Sequence, residues 1–164
     1  GAGLDAAVVH EVGRRRKGTL SYVSYALPIL HTIRTYTFPK IRVIAGGVVL
    51  CEDADYALAA KRRHSAGVIP LTPKARECDG TIEVIAFRNL TIPRALAIVA
   101  GAFRGGRHLE RSDVCYAKAT EVRFESAMGE PVPVQIDGDP GGFLPVDLGV
   151  EPGALRMIAP TKPN

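Results

Sequence analysis

The fold class is decided by residues 132–148, which read VPVQIDGDPGGFLPVDL. Residues 132–136 and 143–148 are apolar runs of strand length, and the segment between them holds two aspartates, three glycines and one proline. Aspartate, glycine and proline are residues that tight turns favour. The stretch therefore predicts two short strands joined by a turn, which is the repeating unit of an antiparallel sheet.

The same pattern of short strands and turns extends over most of the chain. Residues 41–51 predict a hairpin, because two apolar runs flank the turn at Gly46 and Gly47. Further runs of strand length follow at residues 56–60, 67–71, 82–87, 117–126 and 155–159. Many short strands separated by glycine and proline are typical of a sandwich or barrel.

Two segments have helical rather than strand periodicity. Apolar residues recur at helical spacing over residues 19–36, where Pro28 predicts a kink. The second helix is predicted over residues 92–104 and is capped by Thr91. The basic run between Gly13 and Gly18 is interpreted as a loop. We therefore predict a mainly β, α+β fold: an antiparallel β-sandwich with two attached helices.

Composition limits the class of protein further. The chain has 164 residues, of which 46% are hydrophobic and 23% are charged, so residues 1–164 are interpreted as one domain with its own core. Three separated cysteines without a CxxC pair argue against a disulfide framework or a zinc site and favour a reducing cytosol. The net charge is +4, but tryptophan is absent and aromatic residues make up only 6%, which argues against nucleic acid as a partner.

Two Asp-Gly turns are the candidate sites for chemistry. In the first, Asp137 and Asp139 lie at a strand end, where a carboxylate can act as a general base or as a metal ligand. In the second, Asp79 precedes a strand, and with backbone carbonyls it could hold a hard cation such as magnesium. On spacing alone, an ordinary turn is the better explanation of both segments.

Several strings, in order, resemble one family of proteins. Residues 1–8, GAGLDAAV, are similar to a G-x-G-x-D-A-x-V motif, and residues 17–22 loosely match its K-x-G-x-x-x-Y helix entry. Residues 73–84 are similar to P-x-A followed by D-G-x-L-x-V. Residues 134–139, followed by Pro145 and then VEPGALR at 150–156, resemble a Q-x-D-G-E ending. Together they resemble the C-terminal domain of lipid kinases of the diacylglycerol kinase and sphingosine kinase type.

The resemblance implies an activity and a set of site residues. It implies an ATP-dependent lipid kinase that transfers the γ-phosphate of MgATP to the hydroxyl of diacylglycerol or a related lipid alcohol. Asp139 occupies the position of the family's general base, a glutamate, and is one methylene shorter. The family's structural Mg²⁺ carries over to Asp79 with the carbonyls of Arg76 and Thr81. ATP would be bound mainly by an N-terminal nucleotide-binding domain, which we expect to lie outside this chain, so the isolated chain is expected to be inactive.

The resemblance also implies partners and leaves alternatives open. The expected partners are a lipid alcohol, the N-terminal domain, an anionic membrane surface met by the basic runs 14–17 and 61–63, and a second copy joined through sheet edges. The expected location is cytoplasmic and peripheral at the membrane. Helices 19–36 and 92–104 would line an acyl cleft or simply cover a sheet face. The alternative function is a non-catalytic lipid- or membrane-binding module, favoured by Asp139 in place of glutamate. A fold like that of NAD kinase is a third interpretation.

Overall fold

The computed structural model describes residues 1–15, 31–32, 35–65 and 68–154. Two α-helices have both ends within these ranges, α1 over Leu4–Arg15 and α2 over Ile92–Phe103, and residues 31–32 and 35 are helical as well. The strands are β1 Ala2–Gly3, β2 Ile41–Ala45, β3 Val48–Ala54, β4 Tyr56–Ala60, β5 Ile82–Phe87, β6 Val114–Ala119, β7 Glu121–Ser126, β8 Pro133–Ile136, β9 Asp139–Phe143 and β10 Val146–Gly149. Neither helix is long and apolar enough to cross a membrane.

The strands form two antiparallel sheets. The larger sheet has the order β6-β5-β4-β1-β8-β9, and the smaller has the order β10-β7-β2-β3. Every pairing among these strands is antiparallel. The short strand β1 joins β4 to β8 at the centre of the larger sheet, so the first residues of the chain become part of the sandwich.

The core has two parts, one on each face of the larger sheet. The first lies between the two sheets and includes Ile41, Val84 and Phe124, all of which are buried. The second lies between the outer face of the larger sheet and α2, where Ile85 packs with Ile98. Because both faces of β5 are covered, its residues form an almost continuous apolar run rather than an alternating one.

Helix α1 packs beside the β8–β9 hairpin. His10 Nε2 lies 2.9 Å from the Val134 carbonyl oxygen, and the His10 ring meets the Phe143 ring edge-on at 5.5 Å between centroids. Gly13 lies inside this helix, and a Cβ built on it would stand 3.3 Å from Pro140 Cγ. The missing side chain therefore permits close packing between the helix and the hairpin.

The predicted fold class is confirmed, since two antiparallel sheets form the sandwich and α2 covers one of them. The hairpin at 41–51, the strands at 56–60 and 82–87, and the helix at 92–104 are confirmed as well. Thr91 is the N-cap of α2, although its side chain makes no capping hydrogen bond. The predicted helix at 19–36 lies mostly outside the described residues, and the predicted strand at 155–159 lies wholly outside them.

Three predictions about local structure are wrong. The proposed loop begins inside α1, which continues through Gly13 to Arg15. Residues 68–71 form turns with one isolated bridge, between Ser65 and Ile69, instead of a strand. The runs 117–126 and 143–148 are each divided, because the chain turns at residue 120 to join the other sheet and turns again at residues 144–145.

Candidate functional site

The β8–β9 hairpin presents the predicted base. Its turn consists of Asp137 and Gly138, whose φ angles are 51° and 92°. Positive φ at both turn positions is the geometry of the two-residue hairpin that Asp-Gly favours, because glycine adopts it without strain and aspartate tolerates it. Asp139 then begins β9 directly opposite Ile136. The turn therefore fixes the position of the Asp139 backbone in the sheet.

An irregular register decides which side chains share a face of this hairpin. Ile136 pairs with Asp139 and Gln135 with Pro140, but Phe143 pairs with Pro133, so β9 carries one extra residue. Paired residues in an antiparallel ladder point to the same face. Gln135, Pro140 and Phe143 consequently share the face that α1 covers, while Asp139 and Ile136 share the opposite face. The Ile136 side chain remains 57% exposed there.

Gln135 connects the hairpin to the start of α1. Its side-chain oxygen accepts a hydrogen bond from the Gly138 amide at 2.8 Å. Its side-chain nitrogen donates to Asp5 Oδ2 at 3.0 Å. Its backbone amide donates to the Gly1 carbonyl at 2.8 Å. One side chain thus holds both the turn before Asp139 and a carboxylate in the first turn of the helix.

Asp5 is surrounded by hydrogen-bond donors. Besides Gln135, the Tyr56 hydroxyl donates to Asp5 Oδ2 at 3.2 Å and the Ala6 amide donates to Asp5 Oδ1 at 2.6 Å. Burial, and then the nearby Asp5 charge, raises the pKa of Tyr56 well above its usual value. The same two causes, with burial first, raise the pKa of Tyr36. Both tyrosines therefore stay protonated, and Tyr56 acts as a hydrogen-bond donor. Asp5 is the acceptor, and its two oxygens are already hydrogen-bonded to Tyr56, Gln135 and Ala6.

The two carboxylates suit different roles. Asp5 accepts three hydrogen bonds from its surroundings, which favours a positioning role over proton abstraction. Asp139 is exposed on the face that α1 leaves open, and no hydrogen bond or ion pair joins its carboxylate to another described residue. A general base needs a free lone pair that a substrate hydroxyl can reach. Of these two groups, Asp139 meets that requirement.

The predicted metal site is organised by two lysines. We call Asp79, Thr81, Lys61 and Lys118 the Asp79 corner. Lys61 Nζ donates to the Thr81 carbonyl at 2.8 Å and lies 3.4 Å from Asp79 Oδ1. Lys118 Nζ lies 3.1 Å from Asp79 Oδ2 and donates to the Lys74 carbonyl at 2.9 Å. Two of the three atoms predicted to hold Mg²⁺ therefore already contact an ammonium group.

The electrostatics of the Asp79 corner agree with this arrangement. The hydrogen bond from the Thr81 amide to Asp79 Oδ1, together with Lys118, holds the pKa of the Asp79 carboxyl well below its usual range. The residues present do not fit a magnesium ion, because an ion at these oxygens would displace Lys61 Nζ. Arg76 is exposed and lines the adjacent depression. Among the described residues, no group of three or more acidic, histidine or cysteine side chains could hold a metal.

The basic run at 61–63 is engaged within the chain. Lys61 belongs to the Asp79 corner, Arg62 Nε lies 3.5 Å from Glu77, and Arg63 Nε donates to the Pro73 carbonyl at 3.1 Å. These contacts favour an ordinary basic turn over a membrane-docking run. The other predicted docking run, at 14–17, has side chains that lie outside the described residues.

The predicted base and the predicted metal ligands are not brought together. Asp139 is on β9, at one edge of the larger sheet, whereas Asp79 precedes β5 near the other edge. Four strand spacings separate β5 from β9, or roughly 19 Å at the usual 4.8 Å per strand. The contacts joining Asp5, Tyr56 and Gln135 were not foreseen from the sequence. Their sequence separations of 51 and 130 residues leave no local pattern, although Asp5 does fall within the first motif of the resemblance.

Comparison with known proteins identifies the family. The model of the YegS C-terminal NAD kinase beta sandwich-like domain matches residues 1–159. A crystal structure from Bacillus anthracis str. Sterne titled "putative diacylglycerol kinase" is 18% identical, with a TM-score of 0.60 over 82% of this chain and 47% of that one. A second, titled as a diacylglycerol kinase of the same strain, is 20% identical, with a TM-score of 0.57 over 76% of this chain and 42% of that one.

The matches differ in how much of each chain they cover and in sequence identity. The search of curated proteins gave no significant match. The chain spans less than half the length of the solved structures that it resembles, and at this identity the likeness concerns the fold. The family match covers nearly the whole chain. The chain therefore belongs to the family of YegS-type C-terminal, NAD kinase-like β-sandwich domains, which confirms the resemblance to the C-terminal domain of diacylglycerol kinase-type lipid kinases.

Proposed function

We propose that this chain is the lipid-binding, base-supplying domain of an ATP-dependent lipid kinase. The observation that carries the proposal is the exposed Asp139 carboxylate on a hairpin that Gln135 ties to Asp5. Family membership supports the kinase class. The proposed substrate is diacylglycerol or a related lipid alcohol, and the nucleotide would be bound mainly by a second, N-terminal domain.

In the proposed reaction, Asp139 takes the proton of the lipid hydroxyl. The hydroxyl oxygen forms a bond to the γ-phosphorus of MgATP, the bond from that phosphorus to the β,γ-bridging oxygen breaks, and ADP leaves. Phosphoryl transfer depends mainly on positioning and on stabilisation of charge, so the protein needs to supply few reacting groups. A carboxylate held on a rigid hairpin meets the positioning requirement.

The surroundings of Asp139 support an apolar substrate. Ile136 lies directly across the hairpin from Asp139 and keeps 57% of its surface exposed. An exposed isoleucine beside a carboxylate offers a contact for the hydrocarbon next to the reacting hydroxyl. Asp139 is one methylene shorter than the glutamate of the resembling family, so the lipid must approach the hairpin more closely to reach it.

We propose that the domain meets the membrane through α2, as a peripheral cytoplasmic protein. The outer side of this helix exposes Ile92, Leu96 and Phe103, each more than 60% accessible. Arg104 ends the helix and Arg107 follows in a short 3₁₀ helix, and both are exposed. An apolar stripe with neighbouring cations matches the interface of an anionic bilayer.

A second candidate is a lipid-binding module that has lost the reaction. The same α2 stripe favours it, because this surface would serve a module without turnover equally well. The shortened side chain at Asp139 favours it also, since a displacement of the base by about 1 Å can cost on the order of a hundredfold in rate.

The deciding experiment measures phosphorylation of diacylglycerol in mixed micelles. The chain is joined to the nucleotide-binding domain that we propose as its partner, and Asp139→Ala is compared with Asp147→Ala, an exposed aspartate on the other sheet. The kinase proposal predicts activity that only Asp139→Ala abolishes. Activity that survives Asp139→Ala would refute the role of Asp139. Vesicle binding without turnover on any lipid alcohol would support the non-catalytic module instead.

A further inference from the structure

We infer that the ammonium group of Lys61 takes the place of a divalent cation at the Asp79 corner, so that this corner is held together without metal. Lys61 Nζ contacts both the Thr81 carbonyl, at 2.8 Å, and Asp79 Oδ1, at 3.4 Å. These two atoms belong to a turn that a bound cation could also bridge. The inference concerns this corner alone and does not depend on the kinase proposal.

Lys61 Nζ contacts these two oxygens as a hydrogen-bonding ammonium group, which makes different demands from a magnesium ion. Mg²⁺ requires oxygen ligands at about 2.0–2.1 Å in near-octahedral geometry. An ammonium group has three donors and makes hydrogen bonds near 2.8–3.0 Å to oxygen. Lys61 Nζ therefore satisfies the Thr81 carbonyl at an ordinary hydrogen-bond length while also lying beside the Asp79 charge.

The local charge is already balanced. Lys118 Nζ lies 3.1 Å from Asp79 Oδ2 and 3.7 Å from Glu83 Oε1. The Glu83 side chain is only 1% exposed, and Lys118 is the cation beside it. Two lysines thus offset two carboxylates. A divalent cation added here would give a net charge of +2 and would face two ammonium groups at close range, which disfavours its binding.

The sheet register brings Lys61 to this position. Ala60, the last residue of β4, pairs with Glu83 near the start of β5. Lys61 therefore leaves the sheet next to Thr81, which lies two residues before Glu83. From this position the Lys61 side chain reaches both the Thr81 carbonyl and Asp79.

Thermal unfolding and manganese binding of the full 164-residue chain test the inference. The wild-type midpoint is expected to be the same in millimolar MgCl₂ and in EDTA at matched ionic strength, because no ligand is bound whose loss could destabilise the fold. Mn²⁺, followed by electron paramagnetic resonance, is expected to remain free. A midpoint that Mg²⁺ raises in the wild type, but not in Asp79→Asn, would overturn the inference even without any lysine variant.

Lys61→Met provides the complementary test. This variant keeps the aliphatic stem and frees Asp79 Oδ1 and the Thr81 carbonyl, so its midpoint should fall and Mg²⁺ should partly restore it. The double variant Lys61→Met, Asp79→Asn should lose that response. The matched control is Lys74→Met, which removes a cation from the same depression without freeing either oxygen, and which should stay indifferent to metal. The inference would be overturned if Lys61→Met folds but its unfolding midpoint does not respond to Mg²⁺ and it does not bind Mn²⁺. It would also be overturned if the midpoint of Lys74→Met responds to Mg²⁺ as strongly as that of Lys61→Met.

Discussion

Replacing Gln135 with methionine should loosen the hairpin that carries Asp139. Methionine keeps the length of the side chain but removes both hydrogen bonds, the one accepted from the Gly138 amide at 2.8 Å and the one donated to Asp5 at 3.0 Å. The first joins neutral groups and the second involves a carboxylate, so their gross contributions are about 1 and 2 kcal/mol. Gly138 is exposed and its amide can bond to water instead, which reduces the first contribution.

We therefore expect Gln135→Met to lower the free energy of unfolding by about 2 kcal/mol, measured by urea denaturation. For a domain of this size that loss corresponds to a melting temperature lower by about 4–8 °C. Gln135→Glu should be worse at neutral pH, because it keeps the acceptor for Gly138 but places a second carboxylate beside Asp5. In the proposed two-domain kinase, Gln135→Met should reduce turnover by up to about a hundredfold through misplacement of Asp139.

Small changes in stability or turnover would refute the role that we assign to Gln135. A stability change under about 0.5 kcal/mol for Gln135→Met would be no more than a surface substitution causes. If Gln135→Glu were as stable as the wild type, the contact with Asp5 would not exist in solution. If stability fell but turnover in the two-domain kinase did not, Gln135 would hold the fold without positioning Asp139.

Three further predictions concern other parts of the molecule. Gly3→Ala should destabilise the domain by more than about 2 kcal/mol in urea, because its Cβ would stand 2.7 Å from the Asp55 carbonyl oxygen at a φ of 105°. The Arg111 guanidinium beside Asp113 holds the pKa of that carboxyl below its usual value, so the stability from this pair is present above the ordinary aspartate pKa and is lost on acidification. Arg111→Met should therefore cost stability at pH 7, and progressively less as the pH falls below about 4. Leu96→Ser should weaken binding to anionic vesicles several-fold without changing the urea midpoint, as co-sedimentation would show.

Each of these predictions has a matched control. Gly149→Ala, where a Cβ meets nothing within 4 Å, should change stability by less than about 0.5 kcal/mol. Arg62→Met removes an ion pair to Glu77 in which both side chains are mostly exposed, and should show a smaller pH-dependent loss than Arg111→Met. Val48→Ser alters an exposed apolar residue of the other sheet and should leave vesicle binding unchanged. Equal effects in a variant and its control would contradict the corresponding prediction.

The two hairpins could be predicted because strands and turns depend on residues that are close together in the sequence. The turns at Gly46-Gly47 and Asp137-Gly138 place flexible residues between apolar runs, and the structure forms a hairpin at both. The sequence does not predict helix α1, because a glycine such as Gly13 is typical of a loop boundary, whereas the structure uses its missing side chain for contact with Pro140. A glycine is ambiguous until the element that packs against it is known.

The candidate site was only partly predictable, because it also depends on how separate strands pair with one another. Asp139 could be named from the hairpin pattern and the resemblance, but the irregular register that brings Phe143 to the same face as Gln135 and Pro140 could not. The Asp79 turn was predicted as a metal site, yet Lys61 reaches it through the pairing of β4 with β5. Neither the extra residue in β9 nor the reach of Lys61 has a signature in the linear sequence.

The proposed role of Asp139 as the base is tested most directly by changing only the length or the charge of this side chain. In the two-domain kinase, turnover on diacylglycerol should fall by about 10²–10⁴-fold for Asp139→Asn, which keeps the size but cannot take a proton. Asp139→Glu, which keeps the carboxylate, should retain measurable activity. The account predicts a low rate for the asparagine variant and a rescued rate for the glutamate variant. Equal turnover of Asp139→Asn and the wild type would contradict it.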